Sequence, residues 1–113
     1  MSKWKPKDRV VVTSADGPVE TMGDVYGIWA VTARLRLDGT FCTNLFVITH
    51  VPTGYVVQFW MTFATVKEAR RIARALNKRY PAFHVDGGFV SKEEAREMIA
   101  FINLLLATDK VAP

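Results

Sequence analysis

Residues 65–81 read TVKEARRIARALNKRYP, and the hydrophobic period of the chain changes there. Ala69, Ile72, Ala73, Leu76 and Tyr80 recur at helical spacing, Thr65 and Glu68 have the spacing of a capping box, and Pro81 ends the run. Lys67, Arg70, Arg71, Arg74 and Lys78 fall on the other side, within an arc of about 100°. The stretch predicts an amphipathic helix with one apolar and one cationic face.

Before it, apolar residues alternate with period two. Val10–Thr13 reads as a short strand closed by Asp16-Gly17-Pro18, and Val25–Leu37 as a longer one with a bulge near Gly27. Asp38-Gly39 suits a two-residue hairpin turn, after which Phe41–Val51 returns antiparallel. Pro52-Thr53-Gly54 turns the chain into a fourth strand, Tyr55–Phe63. Beyond the helix, a loop over 82–90 holds Asp86-Gly87-Gly88. Ser91 and Glu94 then open a second helix running to about Ala107. The fold class is α+β: an antiparallel four-stranded meander followed by two helices (ββββαα) packed on one sheet face. Residues 1–8 form a flexible basic arm and 9–113 a single α+β domain.

With 113 residues, half of them hydrophobic, the chain can bury a core of its own. One cysteine excludes an intramolecular disulfide framework. No stretch approaches a membrane span and the start lacks a signal-peptide core, so the expected setting is cytoplasmic. The net charge of +4 is segregated. Lys3, Lys5, Lys7 and Arg9 against Asp8 leave residues 1–9 at +3. Lys67, Arg70, Arg71, Arg74, Lys78 and Arg79 against Glu68 leave residues 64–80 at +5. Both remaining segments are acidic, so excess positive charge lies in two short stretches.

Five cations on one helix face repel one another slightly, and a polyanion is the partner that offsets this; nucleic-acid phosphate is the commonest. The competing reading neutralises them with Glu93, Glu94 and Glu97 at the start of the second helix. On the second strand Arg34 and Arg36 alternate away from Trp29, Val31, Ala33 and Leu35. With Gln58 and Trp60 of the fourth strand they form a platform on which unpaired bases could stack; the alternative places Trp60 with Phe46 and Ile48 in a small second core or an oligomer contact. In the second helix Ala95, Met98, Ile99, Ile102, Leu105 and Leu106 make a broad apolar arc, flanked by Phe101 and opposed by Leu104. Phe101, Leu104 and Leu105 are the candidate partner interface, and residues 95–107 a candidate homodimer contact.

Catalytic signatures are sparse. His50, His84 and Cys42 are the only histidines and thiol, and no nucleotide-loop, zinc-protease or serine-hydrolase motif is present. A Cys42–His84 pair or an Asp86-oriented His84 gives way to a buried structural cysteine and an ordinary loop. The expectation is a non-catalytic protein without metal or cofactor.

The element order over residues 9–80, four meander strands then a helix, resembles the Whirly-type and transcriptional-coactivator-type single-stranded-DNA-binding folds. That resemblance implies paired subunits presenting basic and aromatic sheet faces. The leading expectation is a nucleic-acid-binding module, single strands slightly favoured, using Lys67, Arg70, Arg71, Arg74 and Lys78 with Arg34, Arg36 and Trp60. The alternative is a small protein-binding inhibitor or adaptor, of the kind phages and mobile elements carry, acting on a host protein.

Overall fold

A computed structural model describes residues 4–14, 16–36, 38–57 and 61–111, with backbone alone for 108–111. Four antiparallel strands come first: β1 (Trp4–Ser14), β2 (Gly17–Tyr26), β3 (Trp29–Leu35) and β4 (Phe41–His50). They lie side by side in chain order. Helices α1 (Val66–Arg79) and α2 (Lys92–Val111) follow. The architecture is the α+β ββββαα arrangement read from the sequence.

Three strand assignments differ in detail. The run Val25–Leu37 is two strands: Tyr26 pairs with Trp29 across the turn Gly27-Ile28, so Gly27 makes a hairpin where the sequence reading places a bulge. Gly27 takes φ 63°, which a tight turn needs and a branched residue resists. β2, with Pro18 and few apolar residues, is held by pairing with β1 from Ser14↔Gly17 to Trp4↔Tyr26. Residues 4–8, expected in a flexible arm, belong to β1 and carry a bulge between Lys5 and Asp8.

Among the described residues of the expected fourth strand, Tyr55–Phe63, none belongs to a strand. The segment touches β4 at two isolated bridges, Thr49↔Val56 and Phe46↔Phe63. Seven positions separate Val56 from Phe63 and three separate Phe46 from Thr49, so the two bridges do not belong to one regular ladder. Gln58 and Trp60 lie outside the described residues.

Gly54 does something else: its carbonyl accepts the Thr13 N–H at 2.7 Å, and the Thr53 carbonyl accepts the Thr13 hydroxyl at 2.9 Å. The turn after β4 thereby reaches β1 at the opposite edge, and the sheet rolls into a partial barrel. Its concave face holds the small cluster Val10, Val12, Val25 and Ala30, with the Thr32 and Thr49 hydroxyls bonded at 3.1 Å. Its convex face carries Trp29, Val31 and Ile48, which α1 covers with Ala69, Ile72, Ala73 and Leu76. Met98 and Ile102 of α2 complete this main core.

Gly54 has φ 75°, and a Cβ there would stand 2.8 Å from the Val11 carbonyl oxygen and 2.6 Å from Thr13 Oγ1. Gly39 is also left-handed, at φ 87°, with nothing within 4 Å. Gly39→Ala should cost about 1–2 kcal/mol, the backbone term alone. Gly54→Ala adds a backbone collision and should lose at least about twice as much, read from urea denaturation midpoints. Equal losses would contradict the closure described.

Candidate nucleic-acid interface

The site starts from the N-cap of α1, where the Thr65 hydroxyl accepts the Glu68 N–H at 3.1 Å. The helix buries Ala69, Ile72, Ala73 and Leu76 at 0% exposure, which fixes its rotation on the sheet. The five cations picked from the sequence are therefore turned away from the core, but they do not stay together as one free stripe.

Lys67, Arg74 and Lys78 are exposed. At positions i, i+7 and i+11 they lie within about 40° of arc and span about 16 Å along the axis. Among the described residues no carboxylate pairs with them. Arg71 lies beside them, half-buried and with contacts of its own. Arg70 is committed: its Nε and Nη2 donate to Asp24 Oδ2 of β2 at 3.0 and 2.9 Å, and its guanidinium covers the Trp4 ring at 4.6 Å. Asp24 also accepts the Lys7 N–H at 3.2 Å. Trp4 meets Tyr26 at 4.9 Å between ring centroids. Thus Arg70 fastens the N-terminal end of β1 to α1, and exposed Lys5 and Lys7 ride on that strand.

The acidic start of α2 takes other partners. Glu97 accepts Arg79 Nη2 at 3.1 Å, and Arg79 lies over the Tyr80 and Phe101 rings. Glu94 completes a reciprocal capping box with Ser91, at 3.0 and 3.2 Å, and accepts His84 Nε2 at 2.8 Å. The Ser91 N–H, followed by the His84 contact, holds the Glu94 carboxyl below its usual range.

Arg34 and Arg36 belong elsewhere. They line an open cleft of about 1060 Å³ on the concave side, with Val12, Cys42 and Val47. Arg34 is half-buried, and exposed Arg36 donates to Thr40 Oγ1 at 3.3 Å. α1 packs on the other face of the sheet, so strand and helix cations do not form one surface. Trp60 lies outside the described residues. Of the candidate partner interface, Phe101 is half-buried against Tyr80, Leu105 half-buried against the main core, and Leu104 is 66% exposed.

Cys42 is buried, on the concave side. The described contacts pair His84 with Glu94, not with Cys42 or Asp86. The His50 ring donates from Nε2 to the Phe83 carbonyl at 2.6 Å, and its Nδ1 accepts from Thr53 Oγ1 at 2.8 Å. Burial, then the nearby His84, pushes the His50 pKa down. No cluster of three or more metal-ligating side chains occurs among the described residues. No described helix is long and apolar enough to cross a membrane.

Sequence reasoning missed Asp24 and Trp4 as the partners of Arg70. They lie 46 and 66 residues from it, and no local spacing marks them. It also missed an apolar cavity beside His50. No family model, curated protein or solved structure matches the chain.

Two outcomes follow from this geometry. Asp24→Ala leaves a half-buried guanidinium and the Lys7 N–H without their acceptor, and should cost about 1–3 kcal/mol in chemical denaturation. His50 has a folded pKa below its ordinary 6.5, so the unfolded chain binds the extra proton first as pH falls. Its contribution to stability is whole above that pH and declines below it. Melting temperature should drop on acidification from neutrality, and His50→Gln should flatten that part of the profile.

Proposed function

We propose that the protein is a nucleic-acid-binding module that holds the phosphate backbone along α1. The observation that carries this reading is the line of Lys67, Arg74 and Lys78, exposed and unpaired among the described residues, on a helix whose other face is fully buried. Lys5 and Lys7 extend the positive surface onto β1. Arg70 is a positioning residue here, holding strand and helix in register through Asp24 and Trp4. Arg34 and Arg36 are outside the proposed contact, because the sheet lies between them and α1.

Cations of this kind recognise phosphate charge, which is common to DNA and RNA and independent of base sequence. Binding releases condensed counterions and weakens steeply with salt. A second reading, a protein-binding adaptor or inhibitor, rests on exposed Leu104; it calls for association that salt barely affects and that a charge at position 104 disrupts.

Fluorescence anisotropy with single- and double-stranded oligonucleotides over a salt series tests the proposal. Replacing Lys67, Arg74 and Lys78 together by Ala should make the log–log salt slope shallower by about 2 units on single strands and about 3 on duplex. All three residues are exposed, so the variant should keep its fold. An unchanged slope, or no binding by the parent protein, would overturn the proposal.

A further inference from the structure

A second feature is independent of the basic helix. Between the end of β4, loop 83–90 and the first turns of α2 lies a cavity of about 530 Å³. Its wall is made by Trp29, Phe83, Val57, Ala95 and Met98, and Tyr55 and Phe89 stand at its mouth. This volume lies within the range of small-molecule sites, as does an apolar lining with few polar groups.

Three observations define what would fit. First, no Asp, Glu, Lys or Arg is among the described lining residues, and both ring nitrogens of His50 are engaged by Thr53 and the Phe83 carbonyl. The cavity therefore offers no counter-charge, and an ionised ligand would lose its hydration there uncompensated. Second, the walls are aromatic and ordered: Trp29 stacks on Phe83 at 6.1 Å, and His50 meets Trp29 at 5.1 Å. Trp29 is 0% exposed, and its indole N–H finds no hydrogen-bond partner among the described residues.

Third, Phe89 is 90% exposed although it borders an apolar hollow, and Tyr55 is 62% exposed. Phe89 follows Gly87-Gly88, and Gly87 takes the left-handed φ of 79°. A ligand in the hollow would give the Phe89 ring an apolar surface to fold onto.

We propose that this cavity is a binding site for a neutral, flat, largely apolar small molecule, with Phe89 closing over it. The site is separate from the cationic face of α1 and stands or falls without it.

The probe is prodan, a neutral naphthalene ketone whose emission moves to the blue in apolar surroundings. Titration of the full chain should give saturable one-to-one binding with blue-shifted emission. Phe89→Ser, at an exposed position, should weaken binding about tenfold by removing the closing ring. Ala95→Trp should fill the hollow and abolish binding, with circular dichroism showing whether that variant folds. In methionine-methyl NMR, saturating prodan should shift Met98 and leave Met22, on β2 and away from the cavity, unmoved. Absence of saturable binding overturns the proposal. So does unchanged affinity in Phe89→Ser or in a folded Ala95→Trp, or a shift at Met22 without one at Met98. If Ala95→Trp does not fold, Phe89→Ser and the Met98 shift decide the outcome.

Discussion

The hydrogen bond from the Thr13 N–H to the Gly54 carbonyl is the contact on which the arrangement of this molecule rests. A four-stranded meander left flat would offer both faces to solvent or helices and keep two open edges. Joining β1 to the turn after β4 rolls it, and the two faces acquire different fates. The concave side keeps a few small apolar residues and an open, partly polar cleft. The convex side carries the bulky residues and must be covered by helices. Only glycine can bring its backbone so close to β1 at position 54 in the left-handed conformation found there.

From that division follows the position of the charge. α1 lies on the convex face with its small and branched residues inward, so its long cationic side chains can only point outward or sideways. Those pointing sideways are used internally: Arg70 reaches Asp24, and Arg79, near the helix end, reaches Glu97. Such pairs differ in worth. The Arg70–Asp24 pair is partly shielded, with side chains 33% and 20% exposed, whereas both members of the Arg79–Glu97 pair are more than half exposed and contribute little.

How much of this was legible follows from where each cause lies. α1 was readable because its causes are local: the cap at Thr65, four apolar residues at helical period and the stop at Pro81 fall within one short window. The α+β class was readable for the same reason, whereas the count of four strands agrees only because the run Val25–Leu37 divides in two while no described residue of Tyr55–Phe63 belongs to a strand. The turn at Gly27 was not, because alternation runs through Val25 and Trp29 as if they shared a face. The hairpin instead pairs Val25 with Ala30 and Tyr26 with Trp29. β2 has a polar sequence and owes its extended form to β1, while Tyr55–Phe63 alternates like a strand yet, among its described residues, meets β4 only at two isolated bridges. The helical period predicted five cations facing outward; it could not predict that Asp24, 46 residues away, would claim Arg70. The cavity beside His50 was illegible for a related reason, since its walls come from β3, β4, the 53–57 segment, the 83–90 loop and α2.

A cation on a mobile tail and a cation on a packed helix are not equivalent, even at equal net charge. Fixing a tail against a polyanion requires ordering its backbone at about 1–2 kcal/mol per residue, which offsets much of what each phosphate contact returns. The backbone carrying Lys67, Arg74 and Lys78 is already ordered by the four fully buried residues beneath it. Trp4, resting against Arg70, has likewise drawn Lys5 and Lys7 out of the tail and onto a strand. Only side-chain freedom would remain to be lost in a contact with a polyanion, and the spacing of the charges is already set by helix geometry. The apolar core and the charged surface are therefore one device: the burial of Ile72 and Leu76 holds the cations in line.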